Sequence, residues 1–244
     1  MTFFWCYLLI GFSNSSLLID QIHTPTAIIG ILTTSRSHER RALIRSTYLH
    51  HRPKKMDVFF ALCSRPIITE NNTLKEIDEK GDIILLNCTE NMNEGKTHVW
   101  FTYVFEHFLP YKFVLKGDDD TFIHLENLQQ DLILQPQNNI FYGRICNNYP
   151  AMAGMLYGMS WNLVEYVATD QWVRANVIGP EDFITYTWMK RNNAIFISKE
   201  AEFYDHKEAK STSWSKDYVE NTIAIHQCKQ NERMIDAYFK LLKH

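Results

Sequence analysis

Four short apolar runs, each joined to the next through a segment with helical spacing, constrain this chain most. Ala27 to Leu32 (AIIGIL), Asp57 to Cys63 (DVFFALC), Asp82 to Leu86 (DIILL) and Tyr111 to Lys116 (YKFVLK) are rich in β-branched and aromatic residues and lack strict alternation. Runs of this length and type read as strands buried on both faces. Between them, Ser37 to Tyr48, Leu74 to Lys80 and Lys96 to Phe108 read as helices. Ser37 suits an N-cap, Gly81 a helix end, and Pro110 a stop. Alternation of this kind predicts an α/β fold, a Rossmann-like and mostly parallel sheet with helices on both faces. Farther on, helices are expected at Leu125 to Leu134, Asn162 to Thr169, Asp182 to Arg191 and Glu232 to Lys243. Short strands are expected within Ile140 to Ser160, at Ala194 to Ile197 and at Thr222 to His226. The chain has 244 residues and no internal repeat or linker, so one domain is expected.

The net charge is −3, and the basic clusters, His38 to Arg45 and His50 to Lys55, are short. Nothing here predicts a nucleic-acid partner. Residues 1–19 carry an apolar stretch broken by Ser13-Asn14-Ser15-Ser16. Its length fits a signal peptide, or a weak signal anchor that would tie the protein to a membrane. Sequons at Asn14, Asn71 and Asn87 agree with entry into the secretory pathway. Outside the leader lie Cys63, Cys88, Cys146 and Cys228, which allow two disulfides in three pairings and lack the CxxC spacing of a thiolate zinc site.

The chemistry concentrates at Asp118-Asp119-Asp120, directly after the fourth apolar run. Three crowded carboxylates repel, and one is driven to protonate unless a cation neutralises them. A hard divalent ion does so and keeps open positions for phosphate oxygens. On an extended backbone Asp118 and Asp120 would share a face and Asp119 would point elsewhere. A metal-dependent phosphohydrolase would also use clustered aspartates, but no matching second cluster is present.

The segment FVLKGDDDTFIHLENL resembles the strand, DxD motif and helix of the family 31 glycosyltransferases, the β-1,3-galactosyl-, β-1,3-N-acetylglucosaminyl- and fringe-type enzymes. Glu39 to Tyr48 is similar to the family's ERR-x-AIR-x-TW segment, with Tyr48 for Trp. Val58 to Leu62 resembles its FFLL strand, Gly81 to Ile84 its YGDII, Lys96-Thr97 the start of its LKT helix, Tyr149 to Ser160 its YP-x-CSGGGYVLS segment, and Glu181-Asp182 its ED-V. The resemblance covers roughly residues 27 to 230. It implies a GT-A fold over 20–244, with a nucleotide-binding half at about 27–124 and an acceptor half at about 125–244. The implied activity is that of an inverting hexosyltransferase. It would carry galactose or N-acetylglucosamine from a UDP-sugar donor to a hydroxyl of a glycan, glycoprotein or glycolipid acceptor, making a β-1,3 bond. The implied place is the luminal side of the Golgi membrane, with the endoplasmic reticulum or secretion as alternatives.

By the same resemblance Asp120 and His226 would ligate Mn²⁺ (or Mg²⁺), with Asp118 and Asp119 near the ribose and diphosphate. Asp182, placed at a helix start by Gly179-Pro180, would be the general base. Arg41, Arg45 and Lys96 are candidates for the diphosphate or for bracing the carboxylates, and the two arginines, four apart, share a helix face. Thr33 and Thr34 are candidates for the uracil or ribose. Tyr149, Tyr157, Trp161 and Trp172 are candidates for stacking on an acceptor sugar. Two departures from the family pattern are read: the stem before the catalytic domain is expected to be short, and where the family has CSGGG, this chain has Met152-Ala153-Gly154-Met155-Leu156, with Gly158 as a candidate to supply the tight spot. An inactive relative that acts as a folding partner or glycan-binding protein is the alternative reading, disfavoured by the retained DDD, Glu-Asp and late His.

Overall fold

The computed structural model describes residues 24–147, 149–209 and 213–243; the leader, Cys6 and the Asn14 sequon lie outside the described residues. The first four apolar runs form β1 (Ala27–Leu32), β2 (Met56–Arg65), β3 (Ile83–Thr89) and β4 (Phe113–Asp118). They are joined by α1 (His38–Ser46), α2 (Asn71–Lys80) and α3 (Lys96–His107). After β4 come the two-residue β5 (Phe122–Ile123), α4 (Leu125–Leu134), β6 (Ile140–Gly143) and β7 (Leu156–Ser160). Then follow α5 (Trp161–Thr169), α6 (Gln171–Ala175), α7 (Glu181–Arg191), β8 (Ile195–Ser198), β9 (Phe203–Asp205), β10 (Ala224–His226) and α8 (Asn231–Leu241).

Seven strands make one sheet in the order β3-β2-β1-β4-β7-β6-β8. β7 alone runs against its neighbours, so six of the seven strands point one way. The sheet continues from β4 into β7, β6 and β8 without a break at residue 124. A second sheet, β5-β10-β9, is small.

β1 shows why its residues are apolar throughout. Ala27, Ile29 and Ile31 join one core, and Ile28 and Leu32 the other. The first core packs Ile44 of α1 and Met234 and Ala237 of α8 against the sheet. The second packs Trp100 and Val104 of α3, Leu163 and Val167 of α5, and Trp188 of α7. Period-2 side chains thus feed both faces, as a doubly covered sheet requires. Cys63 and Cys88, on adjacent strands β2 and β3, form a disulfide, and Cys146 and Cys228 are free.

Gly30 sits in β1 under Trp100. A Cβ there would lie 2.4 Å from the indole Cε2. The indole is itself fixed by its N–H donating to the Leu115 carbonyl at 3.0 Å. Gly30→Ala is therefore expected to lower stability by about 1–3 kcal/mol through overpacking. A denaturant midpoint unchanged from the parent protein would contradict this placement of Trp100.

Candidate active site

Leu32 and Asp118 are register partners at the carboxyl ends of β1 and β4. β1 continues to β2 on one side and has β4 on the other, so the crevice between them lies where the strand order reverses. Ligands of open α/β sheets collect at such a point. A cleft of about 510 Å³ opens there, lined among others by Thr33, Thr34, Glu90, Lys96, the three aspartates, Gly154, Glu181 and Asp182.

The aspartates diverge because the chain turns. Asp118 ends β4, and Thr121 N–H donates back to its carbonyl at 3.1 Å. Asp118 and Asp120 do come together and Asp119 does face elsewhere. The turn does this, not the extended backbone expected from alternation. Asp119 accepts from the Thr33 hydroxyl at 2.6 Å. Asp120 lies 3.4 Å from Nε2 of His226, and its carbonyl accepts from Cys228 N–H at 2.9 Å. Burial pushes the Asp120 carboxyl up; His226 opposes this, and Asp118 and Asp119 add to it. For His226, burial pulls the imidazole down, but the Asp205 hydrogen bond and the charges of Asp120 and Asp118 hold it above its usual value.

Ligand atoms of Asp118, Asp120 and His226 all lie within 4.8 Å of one another. Two carboxylates and an imidazole are a donor set that Mn²⁺ or Mg²⁺ accepts while keeping positions for phosphate oxygens. Among the described residues the cleft wall carries six carboxylates, Glu90, Asp118, Asp119, Asp120, Glu181 and Asp182, against the lining ammonium of Lys96. A bound cation would offset both the burial of the Asp120 charge and its repulsion from Asp118 and Asp119, so these residues fit a divalent metal.

Lys116 was missed by the sequence reading, although a lysine inside an apolar strand was a signal, because a buried charge needs a partner. It is fully buried, donates to Asp118 at 2.7 Å and lies 3.5 Å from Glu181. Burial alone pulls its ammonium down, yet Asp118 and Glu181 hold it above the usual lysine value. Glu181 is almost buried and also binds the Tyr157 hydroxyl. Its carboxyl is pushed up by burial first and by Asp118 and Asp182, against the pull of Lys116. Lys96, the first residue of α3, donates to the Thr33 carbonyl at 2.6 Å and pairs with Glu90. It braces the cleft wall.

Asp182 stands beside Glu181 at the start of α7 and lines the cleft. The preceding turn is pinned by Gly179 N–H donating to Asn93 O at 3.0 Å. Oδ2 of Asp182 accepts from the Tyr149 hydroxyl at 2.6 Å, and Oδ1 from Phe183 N–H at 2.7 Å.

Other candidates lie elsewhere. Arg41 and Arg45 share a helix face as expected, but that face meets α2 and Asp82, just before β3, instead of the aspartates. Arg41 pairs with Glu76, and Arg45 with Glu76 and Asp82. Arg41 also donates to the Thr34 carbonyl at 2.5 Å, so it supports the cleft from behind. Tyr157 is buried under Glu181, Trp161 packs on Phe105, and Trp172 lies beneath Arg191. Gly154 keeps its place at the cleft, where a Cβ would lie 3.4 Å from Glu181 and 3.6 Å from Asp118. Met155 and Leu156 turn into the core. Gly158 does not serve the cleft: it lies in β7 against β4, and a Cβ there would lie 2.4 Å from Leu115.

A family model described as Galactosyltransferase matches residues 39–153, a span that holds the DDD segment and ends one residue before Gly154. Over those residues, a little under half of the chain, the sequence is similar to the galactosyltransferase family. Solved structures agree on the architecture of this glycosyltransferase. The galactosyltransferase LgtC, solved with donor and acceptor sugar analogs, aligns over 89% of this chain and 96% of its own at TM-score 0.51 and 10% identity. The bifunctional glycosyltransferase WbbM aligns over 90% of this chain and 50% of its own at TM-score 0.55 and 10% identity. A glycosyltransferase involved in glycosylation of the major capsid of PBCV-1 aligns over 87% and 98% at TM-score 0.50 and 14% identity. At these identities the likeness is one of fold, and that fold is GT-A.

Proposed function

We propose that this glycosyltransferase moves galactose or N-acetylglucosamine from a UDP-sugar to a hydroxyl of a glycan acceptor, with inversion and a β-1,3 linkage, and that it needs Mn²⁺ or Mg²⁺. The observation that carries the reading is the convergence of Asp118, Asp120 and His226, with both aspartates lining a cleft that Asp182 also lines. A diphosphate is anionic and so is the cleft, so donor binding requires a cation between them. When bound, the metal offsets charge that grows on the departing diphosphate. Asp182 takes the proton of the acceptor hydroxyl as its oxygen attacks the anomeric carbon. The bond from that carbon to the diphosphate oxygen breaks, and UDP leaves with the electron pair. Tyr149 and the Phe183 amide hold the Asp182 carboxylate for this task. Thr33, through Asp119, fixes the cleft floor.

A luminal site on Golgi membranes fits the Cys63–Cys88 disulfide, which belongs to oxidising compartments, and the exposed Asn71 and Asn87 sequons. Among the described residues no helix is long and apolar enough to cross a membrane. UDP release is measured with UDP-galactose, UDP-N-acetylglucosamine and UDP-glucose, with Mn²⁺ and with EDTA. Release is expected with one of the first two donors and only with metal. No release from any donor, or full release in EDTA, would overturn the proposal.

A further inference from the structure

The two ring nitrogens of His226 have different partners. Nε2 faces Asp120, and Nδ1 lies 2.9 Å from Oδ1 of Asp205. Asp205 is 1% exposed. It ends β9 and is the register partner of His226 in the parallel β9–β10 pair, so the two side chains leave one face of the small sheet side by side. The backbone fixes the pairing: His206 N–H donates to the His226 carbonyl at 2.9 Å, and Asp205 N–H to the Trp214 carbonyl at 3.3 Å. β10 in turn pairs with β5, which follows the aspartates directly, so the small sheet ties Asp205, His226 and the DDD turn into one frame.

Both ring nitrogens face carboxylates, which only accept, but the Asp205 contact at 2.9 Å is a hydrogen bond while Asp120 stands off at 3.4 Å, so the neutral ring donates from Nδ1. That leaves Nε2 for a cation shared with Asp118 and Asp120. We propose that Asp205 is the positioning residue of the metal centre, setting the tautomer and ring orientation of His226 and raising its basicity as a ligand. This rests on the reading of Asp118, Asp120 and His226 as the ligands. Asp205 is buried on the far side of the imidazole from Asp120 and does not line the cleft. Outer partners of ligating histidines typically set metal affinity by about 10- to 100-fold.

The test uses full-length protein without donor. Mn²⁺ affinity is read from the electron paramagnetic resonance signal of free Mn²⁺ for the parent protein, Asp205→Asn, Asp205→Ala and His226→Ala. Near-ultraviolet circular dichroism of the metal-free proteins monitors folding. Asp205→Asn is expected to bind Mn²⁺ about 10- to 100-fold more weakly, and Asp205→Ala more weakly still, with His226→Ala at least as impaired. Unchanged affinity in folded Asp205→Asn, beside a weakened His226→Ala, would overturn the positioning role and leave the ligand set standing. Unchanged affinity in His226→Ala would overturn the ligand set itself. Imidazole ¹⁵N NMR of metal-free parent protein, at a pH where the ring is neutral, needs no variant. Protonation at Nδ1 is expected, and protonation at Nε2 overturns the proposal even if the Asp205 variants fail to fold.

Discussion

Replacing Asp182 by asparagine is expected to lower kcat by about 10²- to 10⁴-fold, the usual cost of losing a general base, while donor KM and Mn²⁺ affinity stay within about twofold. The side chain keeps its shape: the one amide oxygen can still accept from Phe183 N–H while the amide NH2 donates to the Tyr149 hydroxyl, so the melting temperature should hold. The neighbouring acid gives the contrast. Glu181 is buried among Lys116, Tyr157 and Thr97. Glu181→Gln strips a charge from a buried network and is expected to cost about 1–3 kcal/mol of stability. Steady-state kinetics beside a thermal melt separates the two. If Asp182→Asn retained full kcat while Glu181→Gln abolished it without loss of stability, the base would have to be reassigned.

Replacing Asp120 by alanine should have the larger effect on binding. Removal of an outer partner typically weakens a metal site by about 10- to 100-fold, and removal of a ligand should exceed that. Asp120→Ala is therefore expected to lose more than about 100-fold in Mn²⁺ affinity and to release no measurable UDP at ordinary metal concentrations. Folding should survive, because the backbone bond from Cys228 N–H to the Asp120 carbonyl is kept by alanine, and the side chain gives up only its 3.4 Å contact with His226. Metal titrations followed by UDP release check both points. UDP release at the parent rate would remove Asp120 from the ligand set.

Much of this site was legible because its parts sit at the ends of strongly patterned elements. β1 and α4 begin and end where the residue pattern places them. β1 is a β-branched run buried on both faces, and α4 is an amphipathic turn sequence halted before Pro136. The DDD run announced itself by local charge density, and Glu181-Asp182 by its resemblance to the family's ED-V motif and its place after Gly179-Pro180. What stayed hidden depends on partners distant in sequence. β5 has two residues and β9 three, too short for any periodicity, and both exist because β10 pairs with them. Asp205 therefore reads in the sequence as one acid among many. Arg41 and Arg45 show the converse. Their spacing gives the shared helix face, but which surface that face meets is set by how α1 lies on Glu76 and Asp82. The altered glycine segment divides in a way that spacing does not reveal: Gly154 remains at the cleft, while Met155 and Leu156 belong to the core.

Binding of UDP alone, measured by isothermal titration calorimetry with Mn²⁺ and again in EDTA, isolates the electrostatic requirement from sugar choice and chemistry. An anionic cleft that admits an anionic diphosphate only around a shared cation predicts heat of binding with Mn²⁺ and none in EDTA. Equal affinity in both would contradict it.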